Sequence, residues 1–584
     1  MIRMVENQFC DDWELDANKL ADYKKLGKWR PHRPWMDRVP NNIAKSLNYP
    51  NLKGAHCILK RTAKKNPNNL AIYDFDTDKK YTYSEFDYIV NQISRGLIDL
   101  GIKGQDHGIA VYTQNCPEYM FSLFAVNQIG SIWIPINPLL KKNEILHILN
   151  DSGIVSTIIV HENQYTAMKR VLKTYPVKNL IVIQKEKEIN DDIINFDDYF
   201  LKFPPSAPEI TINTQEDLLA LMYTGGTTGL PKGVMLTHQN IISNTFQTTF
   251  FLDPKEIIEE HYGSYVNMAV LPLAHIFGLY LVYATVNNAY LNIMLRYDAK
   301  NVLELIQKYK VNMFSGVPTH YTILANYPDF GNYNITSLEL ITSAGAALPL
   351  KLAKIWKEKG KVTVKQGYGL TECSPATHLQ PDWLEYKPDS IGIPIIDTDC
   401  LITDPEDIEK VFEFGQAGEL IIHGPQVMKG YWKKPKATQK VIVKRKDGKI
   451  WLRTGDIVKM DENGYFYVVG RSKEMIKYKG YRILPFEVEN TLYEHPDILE
   501  AAVIGIPDDV VGEKIKAFIR LKPESKGKVT EEQIIEWAKE NMAGYKYPRE
   551  VEFVGAIPKS PVGKVLRRAF REKELKLRGI EREI

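Results

Sequence analysis

The chain has 584 residues, with 75 Lys+Arg against 72 Asp+Glu and a formal charge of +3, so no whole-protein field exists for holding nucleic acid or an anionic membrane. That length argues against one core of ordinary size, and two or more domains are expected. The five cysteines, Cys10, Cys57, Cys116, Cys373 and Cys400, are far apart and lack a C-x-x-C pair, which speaks against zinc, dithiol-redox and secreted-disulfide frameworks and for a reducing interior.

Residues 1–34 read as an N-terminal extension rich in Trp and charge (Trp13, Trp29, Arg30), without the apolar stretch of a secretory signal. From Tyr81 to Val160 helical patterns alternate with short apolar runs: Tyr83–Leu100, Gly108–Tyr112, Tyr119–Ile129, Ile132–Ile136, Glu144–Asn150 and Val155–Val160. This alternation predicts βαβ units and a parallel sheet. The apolar run Leu279–Leu295 is broken by Asn287, Asn288 and Asn292 and falls short of a membrane-spanning helix. A soluble, cytoplasmic protein that can touch membranes from outside is expected.

The alternating rhythm returns between Val302 and Ala344, then gives way from Ser390 to Val469 to short strands punctuated by Gly, Pro and Asp, such as Gly418–His423 and Gly464–Val469. After Gly470 a helix at Phe486–Tyr493, strands at Ala501–Ile506 and Ile515–Leu521 and a helix at Glu531–Asn541 form a unit of domain size. The expected architecture is α/β: a large domain, 35–470, of two parallel-type α/β subdomains plus a small β-barrel-like subdomain. A hinge at 471–473 and a small mobile α+β domain, 474–584, follow.

The segment Leu219–Gly233 runs from an apolar strand into a loop with Thr224, Gly225, Gly226, Thr227, Thr228 and Lys232. Glycines turn backbone N–H groups toward an anion, hydroxyls add donors and a lysine adds a compact charge, which is how a polyphosphate is cradled. It is not a Walker A loop, because Pro231 precedes Lys232 and Gly233 follows it. Tyr223-Thr-Gly-Gly-Thr-Thr-Gly-Leu-Pro-Lys-Gly233 resembles the adenylate-forming (AMP-binding) superfamily of acyl-CoA synthetases, firefly-type luciferases and peptide-synthetase adenylation domains. The resemblance extends from about Trp35 to Arg568, and in its look the chain is nearest to long-chain fatty acid:CoA ligases.

Further motifs follow in the family's order. His275, in Ala269–Gly278, reads by itself as a core histidine, and the resemblance makes it a wall of the acyl site. Ser343-Ala-Gly-Ala-Ala347 permits a flat base to approach, and by resemblance Gly345, Ala346 and Ala347 line an adenine pocket. Within Gly367-Tyr-Gly-Leu-Thr-Glu372 the resemblance assigns Tyr368 to adenine, Thr371 to the α-phosphate and Glu372 to Mg²⁺, a cation suited by few carboxylates with phosphate and water completing its shell. Gly369 stands where acetate-specific relatives carry a Trp that closes the acyl pocket, so a longer acid is expected to enter.

In Arg453-Thr-Gly-Asp456 an Asp on a tight turn is ordinarily structural. The resemblance gives Asp456 the ribose hydroxyls, with Arg471 as its companion. Gly470–Gly480 reads by itself as a charged, solvent-facing hairpin. By resemblance Lys473 is the pivot, and Lys477, Lys479 and Gly480 belong to a loop that meets coenzyme A. Lys564, in Pro558-Lys-Ser-Pro-Val-Gly-Lys564 before the basic helix Val565–Lys576, matches the lysine that bridges acyl carboxylate and α-phosphate.

The implied reaction joins a fatty acid, ATP and coenzyme A through an acyl-adenylate, with Mg²⁺ and without nucleic acid, and a homodimer is compatible with it. An aryl-acid ligase of the 4-coumarate type is the nearest rival, since Ile476–Tyr481 also resembles that branch. Loading of a carrier protein in trans stays open, while the short tail after Lys564 leaves no room for a fused carrier. A nucleotide-binding scaffold without chemistry would not need Glu372, Asp456, Arg471 and Lys564 together.

Overall fold

The runs Gly108–Tyr112 and Ile132–Ile136 are strands with those bounds, every residue buried, as expected of parallel strands covered on both faces. A computed structural model of the protein describes residues 33–183, 193–224, 230–253, 255–558 and 565–579. These form two compact units, one of residues within 1–226, 230–399 and 423–442, the other of residues within 400–422 and 443–584.

In the first unit, an eight-stranded sheet runs in the order Gly430–Tyr431, Lys232–Thr237, Leu218–Thr224, Ile132–Ile136, Gly108–Tyr112, Val155–His161, Asn179–Ile183 and Ile194–Asn195. Its last five strands are mutually parallel, and the first three form antiparallel pairs at one edge. A seven-stranded sheet follows the order Lys365–Gln366, Leu340–Ser343, Met313–Gly316, Val266–Ala269, Leu291–Met294, Leu70–Asp74 and Lys79–Thr82, parallel except for the last pair. The predicted βαβ construction is present in both. A small antiparallel sheet joins Tyr368–Gly369, Ala376–Leu379 and Ile393–Pro394.

Local sequence explains where helices begin. Thr82 and Glu85 exchange hydrogen bonds in a capping box at the start of helix Tyr83–Asp99, and Thr237 with Asn240 does the same for His238–Leu252. The apolar run at Leu279–Leu295 is divided between helix Ile276–Asn287 and strand Leu291–Met294. That helix is apolar all round because it is buried all round. The asparagines have work inside: Asn287 accepts from the Arg61 guanidinium and Asn292 from Asn267. Among the described residues no helix is long and apolar enough to cross a membrane.

In the second unit, Asp399–Thr403, Gly418–His423, Ile450–Met460 and Ile442–Lys444 form a sheet in that order, with Phe466–Arg471 also paired to Ile450–Met460. It is an open sheet, and no closed barrel occurs among the described residues, which corrects the barrel-like expectation. Short strands spaced by turn residues do not by themselves distinguish a curled sheet from a closed one. A further sheet orders Tyr481–Ile483, Ile476–Tyr478, Gly512–Leu521 and Ile498–Asp508, with Glu550–Phe553 parallel to Gly512–Leu521. Helices Pro485–Leu492 and Glu531–Asn541 cover its apolar face, around Val488, Leu492, Ile515, Ile519 and Ile534.

Candidate functional site

Strand Val266–Ala269 is where the seven-stranded sheet reverses direction: the chain continues to Leu291–Met294 on one side and Met313–Gly316 on the other. A crevice at the carboxyl ends of strands on either side of such a reversal is the usual ligand position in an open α/β sheet. His275 follows this strand, Gly345–Ala347 follow Leu340–Ser343, and Tyr368 follows Lys365–Gln366. These strands are parallel in register, Ser343 opposite Gln366, so the three motifs arise from one edge. Asn115 fixes the segment leading to His275, donating to the carbonyls of Ala269 and Leu271 and accepting from Leu273 N–H at 2.9 Å.

His275 caps helix Ile276–Asn287, its Nδ1 accepting from Phe277 N–H at 3.2 Å. Burial pushes its pKa down to about 4, so the neutral ring carries its proton on Nε2 and offers a donor without a charge. The helix N-terminus adds positive potential there. Gly345 and Ala347 are exposed, as a surface for a flat ring requires. The Tyr368 ring packs edge-on against His378, its cross-strand partner, with centroids 5.6 Å apart.

Gly369 has a backbone reason to be glycine, because a Cβ there would overlap the Pro375 carbonyl oxygen. Its neighbour Thr371 opens a short 3₁₀ turn, Thr371–Cys373, that carries Glu372. Met428 N–H donates to the Glu372 carbonyl at 2.9 Å, and the Tyr431 hydroxyl donates to Glu372 Oε1 at 2.8 Å. Lys232 Nζ stands 5.0 Å from the centroid of the same Tyr431 ring, within cation–π range. Thr224 pairs directly with Lys232 across the hairpin Leu218–Thr224/Lys232–Thr237. Thr224, Lys232 and Glu372 are thereby gathered around Tyr431.

In the second unit Asp456 and Arg471 face each other across antiparallel strands, and Arg471 Nε meets Asp456 Oδ1 at 2.6 Å. Thr454 Oγ1 receives the Asp456 N–H and donates to the Leu420 carbonyl, locking the turn. Strands Ile476–Tyr478 and Tyr481–Ile483 form a hairpin whose two turn residues, Lys479 (φ 47°) and Gly480 (φ 81°), both have positive φ, the two-residue form suited to twisted strands. Lys477 is exposed, with its backbone N–H held by Glu513 at 2.8 Å. The solvent-facing hairpin is therefore present, and Lys473 lies in the 3₁₀ turn Ser472–Glu474 just before it.

Lys564 and the loop residues Gly225, Gly226, Thr227 and Thr228 lie outside the described residues. Tyr431 was not foreseen from the sequence. Its only local signal is the Gly430-Tyr431-Trp432 triplet, which reads as an ordinary edge strand until its pairing with Met235 and Val234 sets it beside Lys232. No group of three or more His, Cys, Asp or Glu that could hold a metal occurs among the described residues. Glu372 is a single carboxylate at its turn, and a Mg²⁺ ion held there would need phosphate and water to complete its shell.

Residues 59–432 match the family described as AMP-binding enzyme, and residues 487–564 match the AMP-binding enzyme C-terminal domain. A long-chain-fatty-acid–CoA ligase of Bacillus subtilis (strain 168) is 34% identical over 568 residues, covering 93% of this chain and 98% of its own. A probable 4-coumarate–CoA ligase 1 of Dictyostelium discoideum is 33% identical over 557 residues, covering 92% and 97%. The solved fatty acyl CoA synthetase of Mycobacterium tuberculosis superposes with a TM-score of 0.70 at 28% identity, covering 90% of this chain and 99% of that one. Matched along almost its whole length, and carrying the loop, the Glu372 turn and the Asp456 turn in order, the chain belongs to the AMP-binding enzyme family.

Proposed function

We propose that the protein is an AMP-forming long-chain fatty acid:CoA ligase, converting a fatty acid, ATP and coenzyme A into acyl-CoA, AMP and pyrophosphate through an acyl-adenylate. The observation that carries this reading is the grouping of Thr224, Lys232 and Glu372 around Tyr431 at the base of the glycine-rich segment, in a chain whose relatives include fatty acid ligases.

A carboxylate does not react with a thiol at neutral pH because its leaving group would be oxide. Attack of the carboxylate on the α-phosphorus solves this by making a mixed anhydride, and the obstacle is mutual repulsion of anions in one site. Lys232 and the loop amides receive the β- and γ-phosphates, Thr371 and Lys564 the α-phosphate. Glu372 would hold Mg²⁺, which supplies charge neutralisation to the phosphates when bound. Tyr368 and Gly345–Ala347 receive adenine, Asp456 with Arg471 receives the ribose, and His275 donates from Nε2 near the acyl carboxylate.

For thioester formation the domain after the hinge at 471–473 turns about Lys473, withdrawing Lys564 and bringing Lys477, Lys479 and Gly480 toward pantetheine, a closure of the hinge type. Because its acid partitions into lipid, the enzyme is expected to work at membrane surfaces from outside.

Coenzyme A-dependent AMP formation, measured across acids from acetate to palmitate with cinnamates included, tests the assignment. Highest kcat/KM for medium or long chains supports it. Preference for cinnamates would place the protein with the 4-coumarate branch, and AMP formation that ignores both acid and coenzyme A would remove ligase chemistry altogether.

A further inference from the structure

Helix Lys142–Ser152 buries Ile145, Ile148 and Leu149 in the core of the eight-stranded sheet. It also carries His147 and Asp151, four residues apart and hence on one face. His147 Nε2 donates to the Pro231 carbonyl at 2.7 Å, immediately before Lys232. Asp151 accepts from the Tyr223 hydroxyl at 3.1 Å on one oxygen and from Lys434 Nζ at 2.5 Å on the other. Tyr223 immediately precedes Thr224, and Lys434 lies three residues after Tyr431.

The helix end reinforces the second attachment. Trp432 Nε1 and Lys433 Nζ both donate to the Ser152 carbonyl at 2.9 Å, a favourable position for a cation at a helix C-terminus. Trp432 N–H donates in turn to the Gly233 carbonyl at 2.8 Å. One helix face thus holds the strand entering the glycine-rich segment, the strand leaving it, and the segment that supplies Tyr431. The Asp151 side chain is only 10% exposed, and a carboxylate so enclosed is retained only where charge and hydrogen bonds satisfy it.

We propose that Asp151, assisted by His147, is a positioning residue for ATP: it fixes the spacing between the Thr224/Lys232 pair and Tyr431, and so the distance across which Lys232 and Glu372 share the triphosphate. The inference rests on the ligase reading above. It assigns Asp151 no contact with substrate, and its effect passes through Tyr223 and Lys434. Because the acyl and coenzyme A positions lie on other segments, the effect is confined to ATP.

Acid-dependent ATP–pyrophosphate exchange on the full chain, with palmitate as acid, separates the alternatives. Asp151→Asn should raise the KM for ATP about tenfold, the scale of losing a hydrogen-bonded charge, with the KM for palmitate and thioester formation from synthetic acyl-adenylate within about twofold of wild type. Tyr223→Phe, which keeps the ring and the Asp151–Lys434 pair, should raise the ATP KM severalfold and add nothing further in the double variant, as expected for residues acting through one contact. If Asp151→Asn does not fold, Tyr223→Phe and His147→Phe decide by the same ATP-specific rise. An unchanged ATP KM in these variants, or an equal fall in both half-reactions, overturns the proposal. Absence of exchange in the wild type overturns instead the ligase reading beneath it.

Discussion

The Tyr431 hydroxyl donates to Glu372 Oε1 at 2.8 Å, while the ring of the same tyrosine lies under the Lys232 ammonium. One side chain therefore sets both the carboxylate expected to take the metal and the lysine expected to take the phosphates. Tyr431→Phe retains the ring under Lys232 and releases the carboxylate. The kcat/KM for ATP should fall about tenfold, the loss expected for one hydrogen bond to a charged group. Tyr431→Leu, which also removes the ring face, should fall further, and steady-state kinetics with ATP varied checks both.

Gly369 bears on chain length in a second way. The absence of a Trp there suggested an open acyl pocket, but the close approach of the Pro375 carbonyl means that any side chain displaces backbone. Gly369→Ala should lower stability by about 1–3 kcal/mol, as overpacking does, and Gly369→Trp should depress turnover of short and long acids alike. Selective loss of long acids in Gly369→Trp, with an unchanged melting temperature, would show that the pocket alone is affected.

His275 carries a pH consequence. Its pKa falls from 6.5 to about 4 on folding, so between those values the unfolded chain binds the additional proton and stability rises with pH. The contribution is complete above about pH 6.5 and is lost as pH falls toward 4. Buried His238 and His378, each lowered to about 3, act in the same direction. Urea unfolding at pH 5 and pH 7 should show the weaker protein at pH 5, with a smaller difference in His275→Gln. The adenylation rate should carry no His275 inflection above pH 5.5, because the ring is neutral throughout.

Lys564→Ala should slow adenylation by roughly two to three powers of ten, the scale for one preorganised charge partner, while thioester formation from synthetic acyl-adenylate survives. Single-turnover measurement of each half-reaction distinguishes this division of labour from a lysine needed equally in both.

Much of the fold was legible because periodicity and burial coincide. Gly108–Tyr112, Ile132–Ile136, Gly418–His423 and Glu531–Asn541 begin and end where the sequence patterns do, each run being bounded by residues that cap or turn the chain. Helix starts were read later than they occur where Pro leads the first turn, as at Pro117 and Pro485, because an N1 proline contributes no apolar periodicity. The loop, the Glu372 turn and the Asp456–Arg471 pair were legible as motifs. Tyr431, His147 and Asp151 were not, because their roles arise from strand pairing and side-chain hydrogen bonds between segments up to 283 residues apart, which no local pattern encodes. The closed form expected for the small β-subdomain failed for a related reason: closure is decided by pairing between its first and last strands.

The most direct test is exchange of labelled pyrophosphate into ATP by the purified full chain, with palmitate and without coenzyme A. Exchange that requires palmitate and proceeds in the absence of coenzyme A is expected, because the mixed anhydride forms before the thiol is used. Release of ADP and phosphate, or exchange indifferent to the acid, would contradict the assignment of this site to carboxylate activation.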